Sequence, residues 1–278
     1  MRRVGGHVST AGGLMSAVNN TLSIGGNCLQ IFAGSPRMWA RSLYSRQVAE
    51  DFKQAVLKND LSPVYIHALY LTNLASDNPE LVEKTKKALV TDLTNSAAID
   101  SAGVILHIGS HQGRGWEAVK DLVIAGIKEV LSATPESANL LLENSAGQNG
   151  KIGSLAELAD ILKAVPDPRL RICLDTAHAF EAGYNLATEE GLEIWIKDLN
   201  KYLGNRLDVL HLNDSKTPLG SGRDMHQNIG EGFIGSAGLK RLVNHPRLQK
   251  LPLLLEVPGL DGSGPDKANI ERVISMLY

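Results

Sequence analysis

The sequence predicts an α/β protein, a closed (β/α)8 barrel, on three observations. Short β-rich runs alternate with longer helical stretches along all 278 residues, the pattern of parallel strand–helix–strand units. Eight such units of roughly 35 residues suit a closed barrel better than an open doubly wound sheet. Six of the strands end in a His, Asp or Glu side chain, at the end where barrels of this kind carry their chemistry.

In order, strands are expected near 4–7, 28–32, 64–67, 104–107, 139–143, 170–175, 207–211 and 251–256. Helices are expected at 14–22, 45–58, 79–102, 116–132, 154–164, 188–203 and 236–244, with a last one from about Pro265 onward. No internal linker or low-complexity run divides the chain, so residues 1–278 are read as one TIM-barrel domain. A hydrophobic fraction of 43% and a charged fraction of 21% are those of an ordinary water-exposed globular chain. Cys28 and Cys173 lie in apolar stretches and read as reduced core thiols. No membrane-length run or signal-peptide pattern is evident, which makes the cytoplasm the default compartment. The formal charge of −2 argues weakly against a nucleic-acid partner. Three bound divalent cations would move it to about +4, concentrated in one cleft, so net charge excludes nothing.

The chemistry lies in the polar residues. His67, His107, Glu143, Asp175, His211 and Glu256 end six strands. His178 follows strand six, and a Gly- and Ser-rich loop after strand seven carries Asp224-Met225-His226. If that stretch is extended, Asp224 and His226 point to one side. Singly, each has a plainer reading: a hydrogen-bonded core histidine, a helix N-cap, a polar surface loop. Together, four carboxylates and five imidazoles buried without cations would be severely unfavourable. Nine ligands exceed one ion and suit two or three. The five imidazoles favour zinc, or another first-row metal, over magnesium or calcium; manganese (Mn2+) is the alternative at one or more sites. Such clusters activate water and stabilise in-line phosphoryl displacement.

Five motifs carry a resemblance: GGHVSTAGGL, LLENSAGQNG, CLDTAHAFEAGYNL, HLNDSKTPLGSGRDMHQNIGEGFIG and LLLEVPG. In this order, over nearly the whole chain, they resemble the endonuclease IV family of apurinic/apyrimidinic endonucleases. The resemblance implies a trizinc barrel enzyme of base excision repair acting on double-stranded DNA that contains abasic sites. It would cut the phosphodiester 5′ to the lesion, leave a 3′-hydroxyl and a 5′-deoxyribose phosphate, and also remove 3′-blocking groups. By the same resemblance His67, His107 and Glu143 hold one ion. Glu143 bridges to a second ion, shared with Asp175, His211 and Glu256, and His178, Asp224 and His226 hold the third. A monomer is implied, with no protein partner or membrane.

Arg37, in FAGSPRMW, and Tyr70 and Leu71, in HALYLTNL, are the candidates for filling the gap left by an extruded sugar. Their plainer reading is an ordinary surface cation and barrel packing, and Trp39 is read as packing. Ala68, Leu69 and Ile108 depart from the family pattern without removing a ligand. His7 and His111 are read as supporting or structural histidines, His245 as surface, and Glu231 as electrostatic support for its loop. Three other readings remain. A metal-dependent sugar isomerase or epimerase on a related barrel needs fewer metals. A non-catalytic DNA-lesion binding protein would be expected to have lost ligands. A barrel with a structural metal leaves ligands at six strand ends unexplained.

Overall fold

A computed structural model of the chain describes residues 2–278. Its strands are β1 (Val4–His7), β2 (Cys28–Phe32), β3 (Val64–His67), β4 (Gly103–Leu106), β5 (Leu140–Glu143), β6 (Leu170–Asp175), β7 (Leu207–His211), β8 (Asp214–Ser215), β9 (His226–Gln227) and β10 (Leu253–Leu255). Strands β1 to β7 follow one another around a closed parallel barrel, and β10 completes it between β7 and β1. Strands β8 and β9 form a separate antiparallel pair.

The helices are α1 (Leu14–Ser23), α2 (Arg46–Lys58), α3 (Pro79–Ala98), α4 (Trp116–Ser132), α5 (Leu155–Ala164), α6 (Thr176–Glu181), α7 (Glu189–Tyr202), α8 (Gly235–Asn244) and α9 (Lys267–Met276). Several begin one residue later than the sequence suggests, because the expected first residue is the cap. The Ser45 side chain accepts Val48 N–H, and Thr188 accepts Gly191 N–H. Ser154 and Glu157 form a reciprocal capping box. Helix α3 stops at Ala98 rather than Ala102, with Ile99 as its C-cap and Asp100 left-handed at φ 51°.

Alternation along the strands separates two cores. Leucine, isoleucine and valine side chains on the outer face pack against the helices. The inner face carries a smaller cluster of Cys28, Tyr65, Ile105, Leu141, Cys173, Val209 and Leu254. Both cysteines are buried and free, as expected. Gly5 belongs to the crowded inner side of β1, where an added Cβ would come 1.8 Å from the Cys28 carbonyl oxygen. Two residues beyond the inner cluster, the same alternation brings His67, His107, Glu143, Asp175, His211 and Glu256 inward together. Strand ends fix where the chemistry sits.

Candidate metal centre

Four of the six strand-end residues, His67, Glu143, Asp175 and His211, close their strands; His107 and Glu256 lie one residue past β4 and β10. Glu143 is fully buried at the centre. Its Oε2 lies 2.9 Å from His107 Nε2 and 3.4 Å from His67 Nε2. Its Oε1 lies 3.0 Å from His211 Nδ1 and 3.5 Å from His178 Nδ1. Glu256 Oε2 is 3.3 Å from His211 Nδ1. On the far side His178 Nε2 is 3.1 Å and His226 Nε2 is 3.7 Å from Asp224 Oδ1, and His226 Nε2 is 3.3 Å from Asp175 Oδ2.

Three groups of donor atoms, each spanning no more than 4.8 Å, emerge: His67–His107–Glu143, Glu143–Asp175–His211–Glu256, and Asp175–His178–His226. The first two are the sets expected from the resemblance, Glu143 common to both. The third differs. Asp175 takes the place expected of Asp224, which stands at its edge against His178 and His226. Asp224 Oδ2 also accepts from Gln148 Nε2 at 3.2 Å and Lys151 Nζ at 3.3 Å.

The residues fit cations by a test of lone pairs. His67 Nδ1 lies 2.6 Å from the Ala68 carbonyl, His178 Nδ1 2.9 Å from Asn144 O, and His226 Nδ1 3.3 Å from Glu256 O. A carbonyl only accepts, so in a neutral ring each of these nitrogens carries the proton and Nε2 keeps its lone pair. His211 is reversed: its Nε2 faces Gln30 Oε1 at 2.7 Å, leaving the Nδ1 lone pair toward Glu143 and Glu256. The Gln30 amide nitrogen is fixed in turn by donating to Glu256 Oε1 at 2.6 Å. Lone pairs then face carboxylates, and His107 Nε2, His178 Nε2, His226 Nε2 and Glu143 Oε2 are all buried without a hydrogen-bond partner among the described residues. Cations between them resolve that conflict.

Without cations, protons must do the same. Burial disfavours charge on His178, but Asp175 and Asp224 outweigh it and raise its pKa to about 10. Burial is similarly overcome at His226, raised to about 9 chiefly by Asp175. Burial pushes Glu143 up, yet His107 and His211 hold it well below the usual carboxylate range.

Several supporting residues gave no sequence signal. Asn213 Nδ2 donates to Asp175 Oδ2 at 2.6 Å, and Asn144 Oδ1 accepts Asp175 N–H at 2.6 Å. Asp214 is buried and accepts from the N–H groups of Gly230, Gly232 and Ile234 at 3.1, 3.0 and 2.9 Å. Asp214 therefore holds the GEG turn through its backbone, and Glu231 adds electrostatic support as expected, pairing at 2.6 Å with Arg272, which also donates to Ile229 O at 3.2 Å. His178, which follows strand six, lies on helix α6, whose N-cap is Asp175 itself. A charged residue adjoining a ligand motif was the one available hint for Asp214.

The other residues singled out in the sequence take varied places. His7 Nδ1 meets Gln30 Nε2 at 2.8 Å, and His111 Nδ1 accepts Gly115 N–H at 3.1 Å. His245 is half-buried and 3.3 Å from Glu193, less free than expected. Ala68, Leu69 and Ile108 are buried core residues. Trp39 is half-buried and Arg37 exposed. Tyr70 is 57% exposed and Leu71 38%, so neither is closed barrel packing. The Tyr70 ring lies 5.6 Å from that of His67 and 5.2 Å from Phe32. It helps line an open cavity of about 330 Å³ with His67, His107, His178, Asp224, His226 and Glu256.

A barrel with a converging histidine–carboxylate layer defines a class, and similarity to known proteins narrows it. Residues 18–278 match the family described as xylose isomerase-like TIM barrel. The chain is 40% identical over 267 residues to a probable endonuclease 4 of Halothermothrix orenii, covering 95% of this chain and 96% of that one. Endonuclease IV from Thermus thermophilus superposes with a TM-score of 0.87 at 35% identity, over 99% of this chain and 98% of that one. A D-tagatose 3-epimerase-like protein shares the fold alone, with a TM-score of 0.70 at 17% identity over 99% of this chain and 95% of that one. The chain belongs to the endonuclease IV family of the xylose isomerase-like TIM barrels.

Proposed function

We propose that the chain, as one barrel domain, is a zinc-dependent apurinic/apyrimidinic endonuclease of base excision repair. It hydrolyses the phosphodiester 5′ to an abasic site in duplex DNA, leaving a 3′-hydroxyl and a 5′-deoxyribose phosphate, and removes 3′-blocking groups. The observation that carries this reading is the set of three donor groups, joined through Glu143 and Asp175, with residues of each group lining an open cavity. His67, His107 and Glu143 hold one ion; Glu143, Asp175, His211 and Glu256 a second; His178, His226 and Asp224, with Asp175 beside them, the third. Manganese is the alternative to zinc at one or more positions. Bound there, the ions supply Lewis-acid stabilisation of phosphoryl oxygens and an activated water.

The protein's part is orientation. Carbonyls at Ala68, Asn144 and Glu256 fix three imidazoles and Gln30 fixes the fourth, so the donor atoms need little rearrangement on binding. Arg37, Tyr70 and Leu71 are exposed, and Tyr70 stands at the cavity wall, where a side chain can enter a duplex gap. A monomer in the cytoplasm fits this role; among the described residues no helix is long and apolar enough to cross a membrane.

The test is cleavage of a duplex with one abasic analogue by metal-replete protein, with and without chelator, alongside metal analysis by mass. Incision 5′ to the analogue that is lost on chelation, with close to three ions per chain, is expected. Full activity with one ion or none overturns the trinuclear assignment. Turnover of a ketose with no incision would favour the epimerase reading.

A further inference from the structure

Asp224 and His226 reach the centre from outside the barrel, Asp224 on the segment of residues 216–225 between β8 and β9 and His226 as the first residue of β9. What holds that segment is the end of helix α6. Glu181, its last residue, is 1% exposed. Its Oε1 accepts from Ser215 Oγ at 2.7 Å, Thr217 Oγ1 at 3.1 Å and Met225 N–H at 3.3 Å. The backbone follows: Phe180 O accepts Gly220 N–H at 3.1 Å, and Glu181 O accepts Gly222 N–H at 3.0 Å. Helix α6 thus grips the segment at its entry, its turn and its exit. Met225, the exit contact, sits between Asp224 and His226. Three residues before Glu181 on the same helix is His178. One turn of helix therefore carries an imidazole of the third group and the clamp for the segment that brings Asp224 and His226 to it. Three donors converging on one oxygen favour a carboxylate over a neutral acceptor.

We propose that Glu181 is a positioning residue that fixes Asp224-Met225-His226 against His178, and so sets the affinity of the third metal ion. The inference rests on reading that group as a metal site. Its own content is that a buried carboxylate touching no ligand decides how well the group closes. Losing a support of this kind weakens metal binding by roughly 10–100-fold.

The experiment titrates zinc into metal-free parent, Glu181→Ala and Glu181→Gln, reading ions per chain by native mass spectrometry and thermal stability alongside. Glu181→Ala is expected to fill two sites like the parent and to bind the third ion at least ~10-fold more weakly. Its kcat should fall with little change in KM and recover in excess zinc. Glu181→Gln, which keeps an acceptor oxygen, is expected to lie nearer the parent. A purely structural Glu181 would lower thermal stability and leave third-site affinity alone, and that result overturns the inference. If Glu181→Ala does not fold, Thr217→Val removes one donor from the segment side, and unchanged third-site affinity there is equally decisive. A parent that never takes a third ion overturns the trinuclear reading itself, a distinct failure.

Discussion

At the scale of one residue, Glu143 has the most to lose. Its two oxygens face four imidazoles at 2.9–3.5 Å, and in the proposed centre it joins two ions. Glu143→Gln removes the charge that lets them sit together. Cleavage under excess enzyme should drop by orders of magnitude while duplex affinity changes far less; near-normal turnover would rule the bridge out. Tyr70 and Arg37 pose the opposite case. Tyr70→Ala should weaken binding to abasic duplex by roughly ten- to a hundredfold and to intact duplex less, with metal content unchanged. Arg37→Ala should mainly weaken binding and reduce its salt dependence. Equal abasic-site affinity in parent and both variants, measured by fluorescence anisotropy, would return these side chains to ordinary surface.

At the scale of an element, the barrel strands and the His, Asp and Glu residues at their ends were legible in the sequence, because a buried parallel strand ending in such a residue breaks its own apolar run. What was not legible lies outside the barrel. Helix α6 is six residues long, too short for periodicity to declare it. Strands β8 and β9 are two residues each. Gln30, Asn144 and Asn213 act through side-chain hydrogen bonds to residues distant in sequence, which leave no pattern in a chain. The stretch between β2 and α2 hides a further device. Arg41 and Asp92 are 3% and 0% exposed and 3.5 Å apart, and Arg41 Nη1 also donates to Ser35 O at 3.4 Å. They tie the stretch bearing Arg37 to helix α3. Arg41→Ala should cost about 3–5 kcal/mol in urea denaturation, since it strands a buried carboxylate. Burial raises Asp92 to about 7, so the loss should be smaller at pH 6 than at pH 8, where Asp92 is charged. Equal losses at the two pH values would show that Asp92 does not change its charge over this range.

For the molecule as a whole, metal and protons compete for one cavity. In the metal-free protein His178 and His226 are raised to about 10 and about 9. A pKa raised on folding stabilises below the unfolded value and ceases to do so as pH rises through the folded one. Chelated protein should therefore lose thermal stability between about pH 6.5 and pH 10. Metal-replete protein should melt higher, by linkage, and largely escape that decline. Differential scanning calorimetry checks both; a chelated protein whose Tm is flat over this range would show that carboxylate–imidazolium contacts do not hold the empty centre.

The strict alternation along the strands has a consequence for how such a chain can change over generations. Loops beyond the strand ends can lengthen, shorten or exchange residues while the donor layer stays put. Inserting or deleting one residue inside β3, β5, β6 or β7 would turn an imidazole or carboxylate outward among the helices and an isoleucine or leucine inward. Mutational drift is thus steered toward the rim, where substrate is chosen, and away from the staves. A shared barrel can in this way come to host sugar epimerases and nucleases alike.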